Sequence, residues 1–290
     1  MSENENCVRC GGIVAPDGRC WDCGHAQPAF RSHVEVTAPD GAAGVSDRGG
    51  RRGVNADAMA LTRRGGWTIG VVCDGVSMSP RAERAAQVAA EVGARVLAAR
   101  LPAGVLPETA LGEAAARAAQ AVAALATPAD TEVSPACTFV AGVAGPEGIW
   151  SASIGDSRAY WLPDEGTGMT LTEDDIGEHD ALAAWLGAEA EDTEARIRSY
   201  RPSVPGRLLL CTDGLWRYLP DAEGLRDAVI RVPQASTDGV DLLPHAQELV
   251  RYALDAGGHD NITAVLIPVD ATAPPDRAAP ETPAPGGPAA

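Results

Sequence analysis

The 290-residue chain contains no lysine, and all 23 of its basic residues are arginine. Aromatic residues make up only 4%, with two phenylalanines, and the five histidines are scattered. These shortages exclude several readings. With 40 acidic residues against 23 basic ones the formal net charge is -17, and no arginine-rich stripe offsets it. That disfavours a nucleic-acid partner, because a duplex is itself a dense line of negative charge. Scattered histidines argue against a histidine-ligated catalytic zinc in the main domain. No apolar run reaches the length of about 18 residues that a membrane span needs. The first 25 residues are polar and cysteine-rich, without the apolar centre of a secretory signal. The expected location is the cytoplasm.

An apolar content of 45% is enough for a sizeable buried core. The seven cysteines are unevenly placed. Cys73, Cys137 and Cys211 lie in apolar, strand-like runs and read as buried thiols. Cys7, Cys10, Cys20 and Cys23 form two Cys-x-x-Cys pairs, each followed by glycine. Such a turn aims two thiolates at one metal, and two turns supply a closed, four-thiolate structural zinc site. Asp17-Gly18 between the pairs is a hairpin signal. Disulfides are the weaker reading without a secretory context. A closed site has no open coordination position, so this unit is expected to fold a small segment and dock, not to catalyse.

Composition divides the chain into a zinc ribbon at 1–27, a linker at 28–43 with little periodicity that could begin a first strand, a main domain at 44–270 and a Pro/Ala/Gly-rich tail at 271–290 expected to be disordered. Helices are expected at 81–100, 108–126, 221–231 and 241–256. TIGVVCD, RLLLCTD and NITAVLIPV read as strands, and CTFVAGVA, GIWSASIG and SRAYWL as a three-stranded antiparallel meander. Long helices beside clustered short strands imply an α+β layered domain, with sheets inside and helices outside.

Three of the strand-like runs end in aspartate, at Asp74, Asp156 and Asp213. Asp260 directly precedes the last strand, and Asp57 lies near the start of the domain. One Asp-Gly is more often a turn than a ligand. Several carboxylates at neighbouring strand ends would repel each other unless divalent cations, which need hard oxygen ligands, lie between them.

The order SDRGGRRGVNAD, VVCDGVS, ACTFVAG, SIGDSRAYWL, LTEDD, LLLCTDGLW and GGHDNITAVLI resembles the type 2C metal-dependent protein serine/threonine phosphatases over about residues 44–270. The resemblance implies a four-layer α-β-β-α sandwich with two mostly antiparallel sheets. It implies hydrolysis of phosphoserine and phosphothreonine by a hydroxide bridging two manganese or magnesium ions roughly 3.5–4 Å apart. Asp74, Asp213 and Asp260 are similar in position to the ligands of one ion, and Asp74 with the Gly75 carbonyl to those of the second. Asp156 with Asp213 resembles the pair that holds a weaker third ion. Arg52 matches the arginine that grips the substrate phosphate, and Asp57 an acid that orders metal-bound water. The implied partners are phosphoprotein substrates of serine/threonine kinases.

Three features depart from the family pattern. Ala56 stands where a glutamate is usual, and Val76-Ser77-Met78-Ser79 replaces a loop that carries a histidine acid. The polar region after Leu171 is short, which predicts a reduced flap. Ala56 also raises an alternative, a catalytically weak phosphatase-like module that binds phosphoproteins or a partner through the ribbon.

Overall fold

The computed structural model describes residues 6–15, 18–27, 31–128, 130, 133–178, 181–190, 194–233 and 240–272. Asp17 and all but the first two residues of the expected tail lie outside them. The elements in chain order are β1 His33–Thr37, β2 Ala43–Asp47, β3 Ala58–Arg64, β4 Trp67–Cys73, α1 Ala82–Arg100, α2 Pro107–Ala123, β5 Ala136–Cys137, β6 Phe139–Gly145, β7 Gly148–Ile154 and β8 Arg158–Pro163. They continue with β9 Met169–Thr170, β10 Leu186–Gly187, β11 Arg196–Tyr200, β12 Gly206–Cys211, α3 Asp213–Trp216, α4 Ala222–Ile230, α5 Leu243–Asp255 and β13 Ile262–Val269.

Two antiparallel sheets form the centre, one ordered β1-β2-β13-β12-β8-β9 and the other β11-β7-β6-β4-β3. Strands β4, β7, β12 and β13 are apolar along nearly their whole length, because both of their faces are covered. Between the sheets lie Val72, Val140, Trp161, Leu208, Leu210, Val265 and Ile267, all essentially inaccessible. Burying each such side chain contributes about 1.5–3 kcal/mol. Helices α1 and α2 cover the five-stranded sheet, and α4 and α5 cover the six-stranded one. The result is an α-β-β-α sandwich. The buried stripe of α1, Ala82, Ala85, Ala86, Ala89, Ala90 and Ala94, recurs at helical spacing, and its small side chains let the helix approach the sheet closely.

Two sequence expectations need correction. β8 is not the third strand of a meander with β6 and β7. It leaves their sheet and pairs with β12 in the other one, Leu209 opposite Tyr160. The crossing occurs at Gly155, whose φ of 101° belongs to the left-handed side that glycine alone adopts freely. The segment 28–43 is not only a linker. His33–Thr37 pairs with β2, from His33 opposite Asp47 to Thr37 opposite Ala43, and so adds an edge strand to the six-stranded sheet. Alternating exposure on β1 is the mark of an edge.

Candidate metal centre

Strand register decides which residues meet. In the six-stranded sheet Cys211, at the end of β12, lies opposite both Ala264 near the start of β13 and Arg158 at the start of β8. Asp213, Asp260 and Asp156 therefore leave the sheet at one end. In the other sheet Ala58 at the start of β3 faces Cys73 at the end of β4, and Phe139 faces Ile154 at the end of β7. Asp57, Asp74 and Asp156 thus emerge at the same end of the sandwich, and all five predicted aspartates converge.

Asp57 and Asp213 are buried, and one oxygen of each, Asp57 Oδ1 and Asp213 Oδ1, has no hydrogen-bond partner. A buried unpaired carboxylate oxygen is costly unless something cationic or a water meets it. The hard-oxygen donor set suits magnesium or manganese. Burial pushes Asp74 well above the usual carboxylate range, and the charges of Asp57, Asp213, Asp156 and Asp260 push it further. Burial likewise brings Asp57 up to about 7 and, together with Asp213 and Asp174, Asp156 to about 6. Asp213 is raised for the same reason. Four like charges act on this one residue, which puts the five carboxylates in one neighbourhood.

The backbone supports this arrangement. A Cβ on Gly75 would come within 2.7 Å of the Ala82 carbonyl group and 2.8 Å of the Ala56 oxygen, so only glycine fits between α1 and the Ala56 loop. Its N–H donates to the Ala56 carbonyl at 3.2 Å. Arg52 forms an ion pair with Asp260, and Asp260, Asp74 and Asp213 all hold its guanidinium charged. Arg52, Asp213 and Asp260 line a cleft of about 540 Å³, together with Ser77, Gly214, Arg217, Tyr218 and His259.

Several contributing residues escaped the sequence reading. Thr212 and Thr263 donate their hydroxyls to Asp57 Oδ2 at 2.8 and 2.7 Å. Asn261 accepts from the Ala56 amide at 2.8 Å and donates to the Arg48 and Val54 carbonyls, which staples the Arg52 loop to β13. Thr138 accepts from the Asp74 amide at 2.9 Å and bonds Ser157 at 2.7 Å, tying the Asp74 and Asp156 turns together. Arg217 donates to Asp213 Oδ2 at 2.8 Å. The available signals were a hydroxyl or amide beside each aspartate, and an arginine one helical turn after Asp213. The LTEDD acids serve a different purpose. Asp174 pairs with Arg158, and buried Asp175 accepts from the Gly155 amide at 3.0 Å and pairs with Arg196, bracing the Asp156 turn from outside.

At the other end of the chain the Sγ atoms of Cys7, Cys10, Cys20 and Cys23 lie within 4.8 Å of one another. Amide N–H groups of Arg9 and Asp22 donate to Cys7 and Cys20 at 3.3 and 3.4 Å, and the Gln27 side chain donates to Cys7 at 3.3 Å. Burial pushes the Cys7 thiol up, but the Arg9 and Cys10 amides and Gln27 outweigh it and bring it down to about 6. The Gly12 amide pulls Cys10 down, yet Cys20 and Cys23 drive it up to about 12, as crowded sulfurs do without a cation among them. An ion pair between Arg19 and Glu83 joins this unit to α1. Cys73, Cys137 and Cys211 are buried elsewhere, next to the aspartate cluster.

A family profile described as "Protein phosphatase 2C" matches residues 50–252, the stretch that carries Arg52, Asp57, Asp74, Asp156 and Asp213. The chain belongs to the protein phosphatase 2C family. With it comes membership of the metal-dependent protein phosphatases. Similar solved structures include a PPM Ser-Thr phosphatase, MsPP of Mycobacterium smegmatis, in complex with cacodylate. It is 25% identical, with a TM-score of 0.58 over 81% of this chain and 100% of that one. The catalytic domain of the serine/threonine protein phosphatase PstP, in complex with two manganese ions, is also 25% identical, with a TM-score of 0.58 over 82% and 99% of the two chains. Stp1 of Staphylococcus aureus, at 21% identity and a TM-score of 0.61 over 81% and 96%, shows the same fold. A Mycoplasma pneumoniae relative is 29% identical over 151 residues, 46% of this chain and 55% of that protein, so the chain spans about half the length of the curated relative it matches.

Within this phosphatase 2C frame the departures acquire positions. The Ala56 backbone accepts from Gly75 and donates to Asn261, while its side chain offers no acid. The Val76–Ser79 turn is pinned by Ser79, whose hydroxyl donates to the Val76 carbonyl at 2.9 Å. Met78 there is 87% exposed, and Ser77 lines the cleft. Among the described residues, no helix is long and apolar enough to cross a membrane.

Proposed function

We propose that this chain is an active protein phosphatase that hydrolyses phosphoserine and phosphothreonine at a centre built for two manganese or magnesium ions. The observation that carries the reading is the set of converged aspartates with unpaired buried oxygens on Asp57 and Asp213, opening beside Arg52 into the cleft. Asp74, Asp213 and Asp260 would hold one ion, and Asp74 with the Gly75 carbonyl the other. When bound, the ions would supply Lewis-acid charge and make a water nucleophilic near neutral pH.

The chain's own residues do the rest. Arg52 exchanges Asp260 for the substrate phosphate, where its fork of N–H donors matches two equatorial oxygens and offsets their charge in the transition state. Asp57 is gripped on one oxygen by Thr212 and Thr263, and its other oxygen is unpaired, which leaves it able to orient water at the centre. The exchange is a simple hydrolysis. Water adds to phosphorus, the seryl or threonyl oxygen leaves, and it takes a proton from solvent water in the open cleft. The Val76–Ser79 loop has no imidazole to donate one.

The four sulfurs support a structural zinc that folds the ribbon. Reduced thiolates of this kind persist in the cytoplasm, where we place the protein. Phosphoproteins made by serine/threonine kinases are the substrates this reading implies. A phosphothreonine peptide assayed with manganese, and again after chelation with EDTA and re-addition of manganese, tests the proposal. Turnover should vanish on chelation and return with manganese, and full activity after rigorous chelation would sink it.

A further inference from the structure

Arg217 stands on no family motif that the sequence reading used, yet it reaches into the centre. It follows α3 directly, one turn after Asp213, and its Nε donates to Asp213 Oδ2 at 2.8 Å. The neighbouring Trp216 donates its indole N–H to the backbone carbonyl of Asp156 at 2.8 Å, which clamps the α3 turn against the Asp156 turn. The guanidinium of Arg158 lies 3.7 Å over the Trp216 ring and that of Arg217 lies 5.4 Å from its centre, so two cations hold the indole in place. Arg217 thus holds Asp213 directly and lies beside the turn that carries Asp156. Burial lowers its basicity, but Asp213, Asp156 and Asp260 outweigh that and keep it charged, and Arg217 in turn opposes the upward push on Asp156.

We propose that Arg217 is a built-in cation for the Asp156–Asp213 pair, so that this centre takes two divalent ions and excludes a third. The inference rests on the two-ion reading above and adds to it. A guanidinium does not lose its proton in a protein, and its tether holds it at high local concentration beside the pair. A divalent ion between Asp156 and Asp213 would meet that fixed positive charge, and one oxygen of Asp213 is already engaged by it. Asp156 and Asp213 therefore resemble a third-ion pair by position, while the residue beside them supplies the charge from the chain itself. Arg217 is a positioning residue here: it acts through Asp213 and Asp156.

The count of bound ions tests this directly. Full-length, zinc-loaded protein is dialysed to equilibrium against millimolar manganese, and manganese per chain is measured by elemental analysis and by loss of the free-ion spin-resonance signal. Wild type should saturate at two. Arg217→Lys keeps the charge and should stay at two, whereas Arg217→Asp should gain a third, weaker ion that is lost again when Asp156→Asn is added. Retention of the two tighter ions in Arg217→Asp shows that the variant is folded. A third ion in wild type, or a count that stays at two in Arg217→Asp, overturns this proposal alone. Fewer than two ions in wild type overturns it together with the two-ion reading. Should Arg217→Asp lose the tighter ions by misfolding, Arg217→Ala replaces it, with the same gain expected and the same unchanged count overturning the proposal.

Discussion

The molecule gathers metal-ligand chemistry twice, by opposite means. The ribbon draws four soft sulfurs from residues 7–23, each pair held by its own turn and by N–H donors two residues away. The phosphatase centre draws five hard carboxylates from positions 57 to 260, each at the end of a strand in one of two sheets. The first is made by local turns and can close around an ion without a core. The second exists only once register has brought strand ends together, and its cost is repulsion, visible in carboxylates that burial and their neighbours push upward. The lesson is that local spacing alone can gather four sulfurs, while gathering the carboxylates takes strand ends that the whole fold brings together.

Substitutions should separate the two sites most sharply. Asp213→Asn should lower turnover of a phosphothreonine peptide by more than about 100-fold, since even partners outside the ligand set typically account for 10–100-fold. Cys7→Ser should cost zinc but leave turnover of a small phosphate ester within a few-fold. Wild-type turnover in Asp213→Asn would break the assignment of the centre, and loss of small-substrate turnover in folded Cys7→Ser would break the division of labour.

A smaller change tunes the open site. Ala56→Glu adds an acceptor for ion-bound waters beside Asp57, so half-saturating manganese should fall by about 10–100-fold. An unchanged metal titration would mean that position 56 does not face the second ion.

pH should expose the cost of burying these acids side by side. Asp57 and Asp156 titrate at about 7 and about 6 when folded, above the usual 3.8, so the folded chain binds more protons than the unfolded one in that window. Their contribution to the manganese-free protein is most favourable below the ordinary carboxylate range and is lost as pH rises towards 7. The slope is at most about 1.4 kcal/mol per pH unit for each group. Urea unfolding of zinc-loaded, manganese-free protein between pH 5 and 7.5 should show a flatter decline in Asp57→Asn than in wild type. Equal slopes would mean that Asp57 is not raised in the folded chain.

The smallest effect concerns the joint between the regions. Glu83→Ala removes the partner of Arg19 on α1, and a partly exposed pair of this kind is worth roughly 0–1 kcal/mol. Limited proteolysis should then release the ribbon faster while turnover holds. An unchanged cleavage rate would show that other contacts dock the ribbon.

The four cysteines and five aspartates that the fold gathers stood out in the sequence, because turns and strand ends constrain their spacing, whereas Arg52 stood out only through the family resemblance. The alternation of apolar runs and Ala-rich helical stripes also made the layered α+β architecture readable. Apolar runs could not say which sheet a strand joins. β8 is as apolar as β7, and only the left-handed turn at Gly155 and pairing with β12 send it across the sandwich. The edge strand at 33–37 was readable only as a possible first strand, because its alternation lasts just five residues and none of them is fully buried.

By itself, then, the sequence determined which atoms were available to bind a metal and roughly where strands would begin and end, since those depend on side-chain chemistry and local backbone preference. Only the tertiary structure decided the company each atom keeps. Thr212 and Thr263 reach Asp57 from 155 and 206 residues away. Asn261 pins a loop 205 residues upstream, and the Trp216 indole ties the α3 turn to the Asp156 carbonyl 60 residues before it. Such contacts arise from strand register and sheet stacking, which are set by the packing of the whole core, and no local stretch of chain encodes them.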